Sequence, residues 1–237
     1  MRLGPLALLL LAGAASAQPG STVERAATPA ALFSADESRT LARTLPADRA
    51  VRFRVRRPAT AGTPGVLVYV SPMDSGEPPR GWEPVLDEAH LVWIAAEGFG
   101  NSRPTAERML AAVMALKLAA QEPVDGRRLY VSGVSGGGRV ASLGIAHFPR
   151  LFSGALLMVG ADFYLPEDGS ARSLLATRRL VFLTGNRDFN HREMRRVFQQ
   201  YHDAGVTRML WMDEAGFGHE PARPEQLRAA LRFLDAQ

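Results

Sequence analysis

Two uninterrupted apolar runs of strand length, Gly65-Val66-Leu67-Val68-Tyr69-Val70 and Leu91-Val92-Trp93-Ile94-Ala95-Ala96, do most to restrict the fold. A strand with one wet face alternates polar and apolar residues, so a continuous run implies burial on both faces, as inside a parallel sheet. Similar runs stand at Leu129-Tyr130-Val131, at 154–159, at 180–183 and at Met209-Leu210-Trp211-Met212. Between them lie helical patterns: a short piece through Trp82, Val85 and Leu86, a stripe of Met109, Val113, Leu116 and Leu118, and helices through Met194, Val197, Phe198 and Tyr201 and through Leu227, Leu231 and Leu234. Strands alternating with helices predict an α/β chain, a mostly parallel sheet with helices on both faces. Val51, Phe53 and Val55 alternate with Arg52, Arg54 and Arg56, which reads as a strand near a sheet edge with its arginines in water. Residues 160–179, between two strands, are too few for a large cap domain.

The ends of the chain read differently. Met1-Arg2, the apolar stretch from Leu6 to Ala12 and the Ala15-Ser16-Ala17 motif have the form of a cleavable secretory signal over residues 1–17. A membrane anchor needs about 20 apolar residues, and this stretch is interrupted by Gly13 and ends at Gln18-Pro19-Gly20. Residues 18–47, rich in Ala, Ser, Thr and Pro, read as a leader docking loosely on a catalytic domain at 48–237. A secreted or periplasmic location follows, with no membrane span in the mature form. The chain has no cysteine, which excludes disulfides, thiolate metal sites, a thiol nucleophile and lipid attachment after the signal. The formal charge of +4 comes from scattered arginines, with Lys117 the only lysine and no aromatic residues interleaved, so nucleic acid is not an expected partner.

Residues 128–145 carry the chemistry. A short run of β-formers meets Gly133-Val134-Ser135-Gly136-Gly137, and a helical pattern with Val140, Leu143 and Gly144 follows at once. Gly-x-Ser-x-Gly between a strand and a helix describes a nucleophile elbow, and Ser135 is the candidate nucleophile. A serine hydroxyl needs a base, a carboxylate to orient that base, and donors for the developing oxyanion. Of the five histidines, only His219 follows the last strand in a glycine-bracketed loop, Gly216-Phe217-Gly218-His219-Glu220. His90, His147, His191 and His202 lie on or beside helical and strand patterns. Two carboxylates stand just past strands, Asp188 and Asp162, and Asp162 could equally cap a helix. For the oxyanion, the candidates are the backbone N–H of Gly136 and that of Met73, with Asp74 second, because Pro72 has none. No His-x-x-x-His spacing occurs, so no metal and no cofactor are expected.

Together, Val-Tyr-Val-Ser-Pro at 68–72, Tyr-Val-Ser-Gly-Val-Ser-Gly-Gly-Gly-Arg-Val-Ala at 130–141, Leu-Thr-Gly-Asn-Arg-Asp-Phe-Asn at 183–190 and Gly-Phe-Gly-His-Glu at 216–220 resemble the α/β-hydrolase superfamily. Within it the chain is most similar to exported esterases of the polyhydroxybutyrate-depolymerase and feruloyl-esterase type. The resemblance implies the order Ser, acid, His, which favours Asp188 over Asp162 and gives Ser135, Asp188 and His219 as the triad. It implies cleavage of carboxylic esters through an acyl-enzyme, with esterase and peptidase both open. Such enzymes often carry His-Gly where this chain has Ser71-Pro72, a departure that bears on the second oxyanion donor. An uncapped site suits substrates presented on polymers or larger molecules as well as small esters. Met73, Trp82, Phe99, Phe163 and Phe217 are candidate pocket residues, core anchoring being the competing role. Gly136-Gly137-Gly138-Arg139-Val140-Ala141 also fits the dinucleotide fingerprint, but export and the unexplained Ser135 and Gly-His loop argue against that reading. A catalytically silent binding module on the same fold is the remaining alternative.

Overall fold

Each uninterrupted apolar run forms a strand of one eight-stranded sheet. The protein's structure, a computed structural model, describes residues 20–236, and the expected signal segment lies outside them. In chain order the strands are β1 (Thr22–Ala27), β2 (Val51–Arg56), β3 (Gly65–Val70), β4 (Leu91–Ala96), β5 (Leu129–Val134), β6 (Gly154–Met158), β7 (Arg179–Gly185) and β8 (Met209–Glu214). Their spatial order is β1-β2-β4-β3-β5-β6-β7-β8. β2 runs antiparallel to β1 and β4, and the other neighbouring pairs are parallel.

β3 shows why such a run has no polar residue. Val66, Val68 and Val70 enter the core on one face, whereas Leu67 and Tyr69 enter the core on the other. The first face is covered by α4 (Thr105–Ala119), α5 (Gly136–His147) and α7 (His191–Asp203), the second by α3 (Trp82–Glu88) and α8 (Pro224–Asp235). Between β6 and β7 stands only the eight-residue α6 (Gly169–Ala176), and among the described residues no large cap domain covers the strand ends. No helix of the described residues is long and apolar enough to cross a membrane.

Of the segment expected as a leader docking on the domain, residues 18–47, those the structure describes, 20–47, contribute a strand and two helices packed on the rest of the chain. β1 forms the sheet edge, paired with β2 from Thr22↔Arg56 to Ala27↔Val51. Then come α1 (Pro29–Leu32), capped by Thr28, and α2 (Ala35–Leu41), which opens on a capping box between Ser34 and Glu37. Leu45 is fully buried in the core. The Ala- and Thr-rich composition hid this because an edge strand is held by ladder hydrogen bonds as much as by its side chains.

Of the β2 arginines, Arg52 is exposed as expected, but Arg54 and Arg56 depart from a solvated face. Arg56 is buried and donates both terminal nitrogens to the Asp87 carboxylate of α3, at 2.8 and 2.7 Å. The Ala59 N–H donates to the same carboxylate at 2.9 Å. Arg54 meets Glu97 and Glu77. Hydrogen bonding from Arg56 holds the Asp87 carboxyl below the usual carboxylate value. A carboxyl whose pKa is lowered by folding stabilises the fold above its unfolded pKa, and that contribution is lost as pH falls through the folded value. Asp87→Ala strands a buried guanidinium and is expected to lower the unfolding free energy by about 2–3 kcal/mol at pH 7. The gap between wild type and variant, read by urea titration, should narrow as the pH is lowered below about 4.

Candidate active site

The elbow is made by backbone packed on backbone. β5 ends at Val134, Ser135 adopts φ 56° and ψ −122°, and α5 begins at Gly136. Left-handed φ is uncommon for a residue with a Cβ and persists only where the surroundings over-determine it. A Cβ on Gly133 would strike the backbone of Gly137, and one on Gly137 would strike the Val70 carbonyl at the end of β3. Gly138 faces the Gly160 carbonyl equally closely. These contacts account for Gly137 and Gly138, the latter also standing at the second glycine of the dinucleotide fingerprint.

The structure brings Ser135, His219 and Asp188 together from three separate loops. The Ser135 hydroxyl lies 2.8 Å from His219 Nε2, and His219 Nδ1 lies 2.8 Å from Asp188 Oδ1. An ionised carboxylate only accepts, so Nδ1 carries the proton and Nε2 is left as acceptor for the serine hydroxyl. The Asp188 side chain is fully buried. Its second oxygen accepts from Thr184 Oγ1 at 2.7 Å, and the Asn190 N–H donates to the first at 3.1 Å. Asn190 Nδ2 in turn donates to the carbonyl of Val159 at 2.8 Å, and Val159 itself has φ 47°. Asp162, the alternative acid, is held elsewhere: its carboxylate receives Arg139, which also forks onto Glu193, and the Tyr164 hydroxyl. His191 pairs with Asp213, His90 with Thr60 and His147 with the Leu143 carbonyl.

On the opposite side of Ser135, the loops after β3 and β4 are stitched together. The Gly98 N–H donates to Asp74 O at 2.7 Å, the Gly100 N–H to Asp74 Oδ1 at 3.0 Å and the Asn101 N–H to Pro72 O at 2.9 Å. The Met73 N–H, expected to serve the oxyanion, donates to Ser71 Oγ at 3.1 Å. The Gly136 N–H is the first of α5 and has no carbonyl of its own helix to reach.

Arg108 fastens this side, and sequence reasoning missed it because one arginine in an apolar helix reads as solvated. It is buried, and its guanidinium donates to the carbonyls of Phe99 at 3.1 Å, Ser71 at 3.0 Å and Gly136 at 3.3 Å. Burial pulls its pKa below the usual arginine value.

The pocket candidates divide. Trp82 and Phe217 are fully buried in the core beneath α3 and α8, with Trp82 Nε1 donating to Ala222 O, so neither lines a pocket. Phe99 is buried between the guanidinium groups of Arg49 and Arg103. Phe163 is half-buried and packs edge-on against Tyr201 of α7. Met73 is 68% exposed. The missed residue is Phe189, 77% exposed and stacked on the His219 ring with centroids 4.0 Å apart. Its neighbour in sequence is Asp188, which drew the attention to the turn without its aromatic. A cavity of about 590 Å³ lined by Phe33, Leu41, Met109, Leu110, Val113 and Phe148 lies between α2, α4 and α5, and none of its lining residues belongs to the Ser135 site. Among the described residues no cluster of three or more His, Asp or Glu could hold a metal ion.

Comparison with protein-family models and with curated protein sequences finds no match. Solved structures do match. An S-formylglutathione hydrolase of Staphylococcus aureus superposes with a TM-score of 0.60 at 13% identity, covering 91% of this chain and 96% of that one. A ferulic acid esterase matches with a TM-score of 0.60 at 16% identity over 89% and 95%, and an arylesterase with 0.61 at 12% over 92% and 87%. With the strand order and the elbow, this likeness establishes the α/β-hydrolase fold.

Replacing Arg108 by Met leaves two buried carbonyls, of Ser71 and Phe99, and the part-buried carbonyl of Gly136 without this donor, each buried loss costing about 1 kcal/mol or more. Arg108→Met should lose about 3 kcal/mol in urea unfolding, and Arg108→Lys should recover only part of it, since one ammonium cannot span three loops.

Proposed function

We propose that this chain is an exported serine hydrolase that cleaves carboxylic ester bonds through Ser135, His219 and Asp188. The observation that carries the reading is the unbroken Ser135–His219–Asp188 chain, two contacts of 2.8 Å that join residues far apart in sequence. A buried carboxylate, an imidazole with its acceptor nitrogen on the serine, and a hydroxyl above a helix N-terminus are the parts that acyl transfer requires. His219 takes the Ser135 proton as the oxygen attacks the carbonyl carbon. The Gly136 N–H faces the charge that develops on the carbonyl oxygen, and Asp188 stabilises the imidazolium. His219 then gives the proton to the departing alcohol, and water activated by the same ring releases the acid. Export is read from the signal-like residues 1–17.

The names of the fold neighbours, ferulic acid esterase and arylesterase among them, support an ester as the substrate. So does the rim. Met73 and Phe189, the large hydrophobic residues most exposed to solvent among the described residues, stand on the β3 and β7 sides of Ser135. An uncapped site with an apolar rim suits an acyl or aryl group carried on a larger molecule or polymer as well as free small esters.

Purified protein should react with a fluorophosphonate probe and hydrolyse p-nitrophenyl esters faster than a peptide p-nitroanilide, and Ser135→Ala should lose about 10⁴-fold or more in kcat. Absence of labelling, or equal labelling of Ser135→Ala, sinks the reading; a preference for the anilide turns it towards a peptidase. Phe189→Ala removes an exposed ring worth about 1 kcal/mol of contact. It is expected to raise KM for p-nitrophenyl butyrate about five-fold while kcat changes less.

A further inference from the structure

On the oxyanion side of the site, the Met73 N–H expected as second donor is already engaged. Acyl transfer places the developing charge between two or more fixed N–H groups. Gly136 offers one. The Met73 N–H is engaged by Ser71 Oγ, Pro72 has none, and the N–H groups of Gly100 and Asn101 are taken by Asp74 Oδ1 and Pro72 O.

One polar group remains beside Gly136. Asn101 is exposed, and its carboxamide makes no hydrogen bond within the described residues. It rests on Gly136 so closely that a Cβ there would collide with Oδ1 and lie 3.1 Å from Nδ2. The residue after the nucleophile therefore lacks a side chain where the carboxamide sits. The Asn101 backbone is held by Pro72 O, and Gly100 before it is held by Asp74, so the side chain projects from a fixed base. Exchanging the amide's oxygen and nitrogen needs only a half-turn about its terminal torsion, and the NH2 group offers two donors.

We propose that the Asn101 carboxamide donates to the tetrahedral oxyanion beside the Gly136 N–H, replacing the backbone donor that the Ser71-Pro72-Met73 loop withholds. Asn101 is thus a catalytic residue, and the inference rests on the serine-hydrolase reading. In the full chain, Asn101→Ala should lower kcat on p-nitrophenyl acetate by about 10²-fold or more, with KM and Tm little changed. Affinity for a trifluoromethyl ketone, which adds to the serine and places an anionic oxygen in the same position, should fall in parallel. Asn101→Asp, which sets a carboxylate against the oxyanion, should lose at least as much. If Asn101→Ala keeps kcat within about three-fold, or loses kcat without losing ketone affinity, the inference is overturned while Ser135-dependent labelling leaves the hydrolase reading standing. Wild-type protein that neither labels nor turns over any ester overturns both.

Discussion

A contact without side chains holds the site in register. The first turn of α5 sits on the end of β3, with Gly137 against the Val70 carbonyl, while Gly138 meets the Gly160 carbonyl beyond β6. Because no atom intervenes, the helix starts as soon as the strand stops, and Ser135 is lifted above the sheet in a conformation that a looser turn would relax. The same contact aims the first N–H of α5 along the strand ends, where loops from both sides of the sheet converge. Interiors this densely packed shift between discrete arrangements rather than deform, so the elbow gives the other loops a fixed reference.

Those loops are secured in two ways. On the β3 side, the fastening is long-range: Arg108 gathers carbonyls from Ser71, Phe99 and Gly136, and Asp74 and Pro72 receive N–H groups from the β4 loop. On the acid side it is local, since Asp188 is satisfied by Thr184 and Asn190 from its own turn. His219 joins the two halves from a loop of its own, with one face of its ring against Phe189.

The legible parts of the sequence were those whose physics is local. Runs such as 65–70 declare burial on both faces, and glycines around Ser135 declare a turn too tight for Cβ atoms. Order along the chain then separated Asp188 from Asp162, and the latter is occupied by Arg139. What stayed hidden depends on partners far away in sequence. β1 is a strand because β2 offers it a ladder, and nothing in Thr-Val-Glu-Arg-Ala-Ala announces that. Arg56 and Arg108 look like surface charges until Asp87 and three carbonyls surround them. Trp82 and Phe217 were drawn to the site by their loops, yet a large ring next to a core gains more from burial than from lining a cleft. Phe189 went the opposite way.

The contacts of the site span long stretches of chain: 84 positions separate Ser135 from His219, and 31 separate His219 from Asp188. The constellation spans four neighbouring strands, from β5 to β8 at the edge of the sheet. Loss of β8, the edge strand that precedes the His219 loop, would remove the imidazole together with the contacts that tie the acid turn to that loop, the Arg187 N–H on Phe217 O and the Gly216 N–H on Asn186 Oδ1. The Ser135–His219–Asp188 arrangement is therefore a property of the completed sheet, and it depends on assembly out to that edge more sharply than secondary-structure content does.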